Sequence, residues 1–270
     1  ILIAKGLDPL EFEMNDYNTT NAWWSDIPGK TLRRIRNGQL KVGFRKRRKI
    51  LDEITLDELL SKHIEPKHIE SLARNPYGLL ELTITDLHFG KNDYEHYKTH
   101  QGKILRWIHS QEWDSILIPL GNDLFHWDNI KGTTVNDTQV GFEPDLNKAW
   151  EDAMHFYTPI IETALKRAKN VHIVYVKGNH DATLAWAFTK MIVKEYPQLK
   201  SDVSFDNYKL FTWEKIAIGL SHGNEPRDFK KYAKIFNELY RMEFAKAEVR
   251  EIHLGDKHHQ MVHDEFGIVT

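Results

Sequence analysis

Five short apolar, β-rich runs between residue 79 and the C-terminus each stop at a cluster of Asp, His, Asn and Gly. Leu79 to Thr85 leads into Asp86-Leu87-His88. Ser115 to Leu120 leads into Gly121-Asn122-Asp123-Leu124-Phe125-His126. Val171 to Val176 leads into Gly178-Asn179-His180-Asp181. Ile216 to Leu220 leads into Ser221-His222-Gly223. His253-Leu254 leads into Gly255-Asp256-Lys257-His258. Helical patterns are predicted between them, over about 95–109, 146–169, 182–196 and 226–250. Further strands are predicted at 203–205, 209–212 and 266–269. Strands alternating with helices imply an α/β architecture. In open α/β sheets, ligands bind beyond the carboxyl ends of strands. Five such ends can therefore converge on one site.

Composition narrows the class. At 41% hydrophobic and 11% aromatic residues, the chain can bury a substantial core, which excludes wholesale disorder. No apolar run approaches the roughly 20 residues of a membrane-spanning helix. The chain has 0 Cys, which excludes disulfide scaffolds, thiolate zinc sites and cysteine nucleophiles. That fits a reducing compartment, and a cytoplasmic location is expected. No signal-peptide pattern is evident, although a chain that begins at Ile leaves a removed leader open.

The first 76 residues read differently, as an appendage to a main domain over 77–270. Residues 1–22 are polar and aperiodic and are predicted to form an irregular arm. Pro28-Gly29 reads as a turn. Residues 30–50 hold ten basic residues and no acidic one, leaving 27 basic against 39 acidic residues elsewhere. Trp23, Trp24 and Phe44 accompany this segment. We read it as a nucleic-acid-contacting face, with Arg45, Lys46, Arg47, Arg48 and Lys49 as its densest part. The alternative is packing against the acidic body of its own chain. Gly29-Lys30-Thr31 echoes a phosphate-binding loop, but Trp24 stands where the first glycine would be required. Thr55 to Glu58 forms a capping box before one short helix. Pro66 is predicted to open a second through Ile69, Leu72 and Ala73.

The residue types at the five strand ends are carboxylate, imidazole and amide oxygen, which suit Mn, Fe or Zn rather than a soft-metal site. A carboxylate can bridge two ions, and two ions about 3.5–4 Å apart can clamp the attacking and leaving oxygens of a phosphoryl displacement. Each motif alone is weak. An isolated Asp-x-His is usually a surface loop, and His222 alone would usually be structural. His96 and His100 stand four apart on a predicted helix and are read as a solvated face.

Taken in order, the motifs resemble the calcineurin-like metallophosphoesterase superfamily, whose pattern is D-x-H, G-D, G-N-H-[DE], a lone His and G-H-x-H. Asp123-Leu124-Phe125-His126 is similar to the D-L-F-H of the double-strand-break repair exonucleases in that superfamily. Phage-encoded relatives of those enzymes share the Gly-Asn-Asp and a Thr-rich loop behind it. Two features depart from the pattern: Asn122 is inserted between Gly121 and Asp123, and Asp256 replaces a His.

The resemblance implies a four-layer α/β/β/α sandwich of two mixed sheets. It also implies two divalent metal ions, Mn²⁺ first, with Mg²⁺, Fe²⁺ or Zn²⁺ as alternatives. Asp86, His88, Asp123 and His258 would hold the first ion, with His259 or His263 able to stand in for His258. Asp123, Asn179, His222 and Asp256 would hold the second. His180 would stabilise the phosphoryl transition state or protonate the leaving oxygen, oriented by Asp181, and His126 would assist near the scissile phosphate. Metal-bound hydroxide would be the nucleophile. The activity implied is a DNA exonuclease or endonuclease, in the host cytoplasm if the protein is phage-encoded. A phosphatase or phosphodiesterase for a nucleotide or phosphoprotein is the second reading, and a non-catalytic binding module on the same fold is the third. Family members continue past the last motif, so a C-terminally truncated domain is expected.

Overall fold

The computed structural model describes the strand backbone of residues 12–26 and 34–46, together with residues 58, 60–141, 143–256, 262–265 and 267–270. The chain divides into two compact units, Ile1–Leu56 and Asp57–Thr270.

The first unit contains an antiparallel hairpin, β1 (Phe12–Asp26) with β2 (Arg34–Lys46). The predicted irregular arm is thus corrected: from Phe12 onward it is strand. The register slips between Met14 and Asp16 and between Thr20 and Ala22. Each bulge inserts one residue and inverts the alternation beyond it, so the period of two never runs long enough to be seen in sequence. Arg45 pairs with Glu13 and Lys46 with Phe12. The Pro28-Gly29 turn, Arg47, Arg48, Lys49 and most of the capping box lie outside the described residues.

The second unit holds two sheets. The first has order β3-β4-β5-β6 and is wholly parallel: β3 (Leu79–Glu81), β4 (Trp113–Gly121), β5 (Ala168–Val176) and β6 (Lys200–Asp202). The second is mixed, of order β10-β11-β9-β8-β7. Its strands are β7 (Lys209–Trp213), β8 (Ile216–Ser221), β9 (Val249–Leu254), β10 (Asp264–Glu265) and β11 (Ile268–Val269). Within it β8, β9 and β11 run parallel.

Strand periodicity sorts the apolar side chains between layers. On β4, Ile116, Ile118 and Leu120 join one cluster while Leu117 joins another. On β5, Val171, Ile173 and Tyr175 go with the first cluster and Val174 and Val176 with the second. The first cluster also takes the inner faces of α1 (Tyr94–His109), α2 (Leu146–Arg167) and α3 (Ala182–Glu195). On α2 that face is Ala149, Ala153, Phe156, Ile160 and Ala164, a helical repeat of three to four residues. The second cluster joins Leu117, Val174 and Val176 to Phe211, Ile218 and Leu220 of the mixed sheet, so the two sheets share it. A third packs Ala217 and Ile252 against Tyr232, Phe236 and Phe244 of α4 (Lys230–Leu239) and α5 (Arg241–Lys246). The unit is α/β, with one parallel and one mixed sheet and helices, an arrangement compatible with an α/β sandwich.

Three local expectations differ from the structure, each because tertiary partners overrode local propensity. The helix expected over 226–250 is instead α4, α5 and β9. Val249 to Leu254 pairs in parallel with Ile216 to Ser221, which withdraws it from the helix. The strand expected at 203–205 is replaced by β6, while the Ser204 amide and hydroxyl donate to Asp202 Oδ1 and the Ser204 carbonyl accepts from Lys209. Residues 64–73 are not helical. Their amides bond outward, Lys67 N to Glu195 O and Leu72 N to Lys166 O, and Ser71 Oγ donates to Ala168 O.

Candidate metal centre

All five motifs follow carboxyl ends of parallel strands: β3, β4 and β5 in one sheet, β8 and β9 in the other. Parallel pairing puts those ends on one edge of each sheet. The chain then turns sharply. Asp86, His88, Asn122, Asp123 and Asp256 all have positive φ, from 49° to 61°. Asn, Asp and His are the side-chain-bearing residues most tolerant of that region. The residue types that ligate metal are therefore also those that permit the turns.

The centre has two halves. In the first, donor atoms of Asp86, Asp123 and His222 lie within 4.8 Å of one another. His222 Nε2 lies 2.7 Å from Asn179 Oδ1, 3.2 Å from Asp123 Oδ2 and 3.9 Å from Asp256 Oδ1. The Asp256 amide donates to Asp86 Oδ1 at 3.3 Å. Asp123 and His222 are 2% and 1% exposed. Burial resists charge on His222, but the hydrogen bond and charge of Asp123, with Asp86 and Asp256 behind it, raise its pKa. Burial likewise resists ionisation of Asp123, yet His222 and the His180 amide hold its carboxyl below the usual value.

The second half is imidazole. His88, His126 and His180 present ring nitrogens within 4.8 Å of one another. His88 Nδ1 lies 3.3 Å from His126 Nδ1, and the His126 and His180 rings stack at 5.0 Å. His88, expected with Asp86 and Asp123, is thus also grouped with the two residues expected to act on the phosphate. Burial, then the neighbouring His180 and Lys91 charges, push His126 down to about 4, so it is neutral near pH 7. The halves meet at Asp123, whose Oδ1 accepts the His180 amide at 2.9 Å.

The donor set fits divalent cations. Oxygens of the buried Asp123 and the half-buried Asn179 crowd a single imidazole nitrogen, and a cation of oxygen and nitrogen preference satisfies that arrangement. Asp86, Asp123, Asn179, His222 and Asp256 are brought together. His258 and His259 lie outside the described residues. His263 donates its backbone amide to Thr270 O and its ring meets Phe229 at 5.4 Å. His96 and His100 are exposed on α1.

Asp181 takes a place other than the one expected. It is fully buried, and its Oδ2 accepts the Phe125 amide at 2.6 Å. The His180 ring is instead anchored at Nδ1 by the His126 carbonyl, 3.1 Å away. Burial first, then the charge of Asp123, pushes the Asp181 carboxyl well above its ordinary value. Gly178 admits both carboxylates: a Cβ there would lie 2.1 Å from Asp123 Oδ1 and 2.7 Å from Asp181 Oδ1.

Sequence reasoning missed Asn122 and Asp128. Asn122 Oδ1 lies 2.6 Å from His222 Nδ1. Asp128 Oδ1 accepts from Thr183 N and Leu184 N at 2.6 and 2.9 Å, capping α3 and tying the loop after His126 to it. A polar residue abutting a ligand was the available signal for Asn122. For Asp128, 55 residues from its partner, there was none. No family model, curated protein or solved structure matches the chain.

Proposed function

We propose that this chain is a divalent-metal-dependent phosphodiesterase acting on DNA, with the four-layer sandwich of the calcineurin-like metallophosphoesterases. The observation that carries this reading is the convergence of five separated strand ends on one partly buried Asp/His/Asn centre bordered by three histidines.

Asp86, His88, Asp123, Asn179, His222 and Asp256 would hold the cations. Bound there, divalent ions would polarise the phosphoryl oxygens and lower the pKa of a coordinated water. Asp123 aligns the two halves, since it faces His222 through one oxygen and fixes the His180 backbone through the other. His180, its Nδ1–H held by the His126 carbonyl, keeps Nε2 for the substrate, and the protonated ring would donate from there to charge developing on the phosphate or leaving oxygen. His126, neutral at pH 7, offers a hydrogen bond without adding charge. The basic run on β2 and beyond it supplies sequence-independent attraction for a phosphate backbone.

The test is incubation of the protein with Mn²⁺ against single-stranded DNA, duplex DNA, a nucleotide monoester and bis-p-nitrophenyl phosphate. Metal-dependent cleavage of DNA and of the small diester is expected. Cleavage confined to monoesters would replace this reading with a phosphatase. No hydrolysis with intact metal binding would leave a binding module.

A further inference from the structure

Both ring nitrogens of His222 face amide oxygens. Nδ1 lies 2.6 Å from Asn122 Oδ1, and Nε2 lies 2.7 Å from Asn179 Oδ1. His222 is 1% exposed and Asn122 is 4% exposed, so bulk water does not substitute for either partner. An amide oxygen only accepts, so a nitrogen facing one carries hydrogen unless a cation takes that hydrogen's place. The two sides of the ring are not equivalent. Nε2 also faces Asp123 Oδ2 at 3.2 Å and Asp256 Oδ1 at 3.9 Å, the oxygens of the centre.

We propose that Asn122 is a positioning residue of the metal centre: its side-chain oxygen holds His222 with hydrogen on Nδ1 and so keeps Nε2 for a divalent cation. This inference rests on the metal-centre reading above. A metal-bound histidine needs its second nitrogen anchored, both to set the tautomer and to orient the ring. Asn122 suits the place for two reasons. Its φ of 55° is a conformation that Asn tolerates. It also directly precedes Asp123, so one turn after Gly121 aims a carboxylate and an amide at the same imidazole. Gly255 completes the fit: a Cβ there would lie 3.0 Å from Asn122 Oδ1 and 3.3 Å from His222 Nδ1. The residue that departs from the motif order as an insertion thereby acquires a function.

Two substitutions in the full chain test this. Asn122→Gly accepts the backbone angle and removes the acceptor. Asn122→Asp keeps an acceptor and loses the amide donor. Mn²⁺ binding is measured by calorimetry, and the ring nitrogens of His222 are observed by ¹⁵N NMR in chelated and Zn²⁺-loaded protein. Asn122→Gly is expected to weaken one ion by about 10–100-fold and to lose the fixed Nδ1–H signal. Asn122→Asp is expected to keep both properties within a few-fold. Parent-like binding by Asn122→Gly would overturn the proposal. So would an Asn122→Asp variant as impaired as Asn122→Gly, because the amide nitrogen would then be the group that matters. The Zn²⁺-loaded parent decides independently of any variant's folding: an Nδ1 without hydrogen there refutes the inference. A parent that binds no Mn²⁺ or Zn²⁺ refutes the metal-centre reading instead, and chelated-state NMR still shows whether Asn122 holds the ring.

Discussion

The two halves of the centre are built from similar residues and differ in what surrounds them. Asp123 and His222 are sealed from solvent at 2% and 1% exposure, and their charges are mutually supporting. His126 and His180 are half-buried, stacked on each other, and His126 is driven neutral. Burial among cationic neighbours removes charge from an imidazole, whereas burial with a hydrogen bond to a carboxylate retains it. The first half is thus suited to hold cations, and His126 and His180 of the second to meet a substrate with hydrogen bonds.

The largest expected effects break this division at its seam. Asp123→Ala should lose both bound metal and activity. His180→Ala should keep metal and lose about 10²–10³ in rate, the usual cost of one transition-state donor. Metal content and turnover measured together decide this, and equal metal loss in both variants would merge the halves. Gly178→Ala attacks the seam sterically, because the added Cβ meets Asp123 Oδ1, Asp123 N and Asp181 Oδ1, at 2.1, 2.6 and 2.7 Å. Overpacking of that kind costs about 1–3 kcal/mol. A lower melting temperature with reduced metal content is expected, and a parent-like melt would show that the turn can move.

pH should separate the two histidines by sign. In chelated protein the raised His222 contributes stability that is complete below the unfolded value near 6.5 and is lost as pH rises through its raised folded value. His126, depressed to about 4, works oppositely: its contribution is complete above about 6.5 and is lost as pH falls toward 4. Metal displaces the proton from His222, so the gap in melting temperature between loaded and chelated protein should widen from pH 6 to pH 8. In His222→Asn that pH dependence should flatten.

Smaller effects sharpen the comparison. Asp256→His exchanges a carboxylate beside His222 for a neutral imidazole and should shift activation from Mn²⁺ toward Zn²⁺ at unchanged stoichiometry. An unaltered metal preference would remove Asp256 from the ligand set. Neutralising Arg45 to Lys49 should weaken DNA binding modestly and flatten its salt dependence, with the small-diester rate unchanged. An unchanged salt slope would assign that segment to another surface.

Much of the centre was legible because its chemistry is local. Asp86-Leu87-His88 and Gly178-Asn179-His180-Asp181 carry residue type, spacing and strand-end position within a few letters. The extents of α1 and of most of α2 followed from their apolar faces, while the caps at Asp93 and Asp145 and the early end of α2 at Arg167 came from the structure. β1 was not legible, since two bulges break its alternation. β9 was legible only at its end, His253-Leu254, since Val249 and Arg250 read as part of the preceding helix and join the strand by pairing with β8.

The sequence by itself determined the α/β alternation, the strand ends that bear chemistry and the exclusion of thiolate chemistry, because these depend on periodicity and residue type. Tertiary structure alone decided that the His126 carbonyl rather than Asp181 holds the His180 ring, that Asp128 caps α3, and that Asn122 reaches His222. Each of these is a contact across 54 to 100 residues of chain. Hydrogen bonding falls off within an ångström or so of its optimum, so such partners are chosen by how sheets and helices pack, which no local pattern of letters encodes.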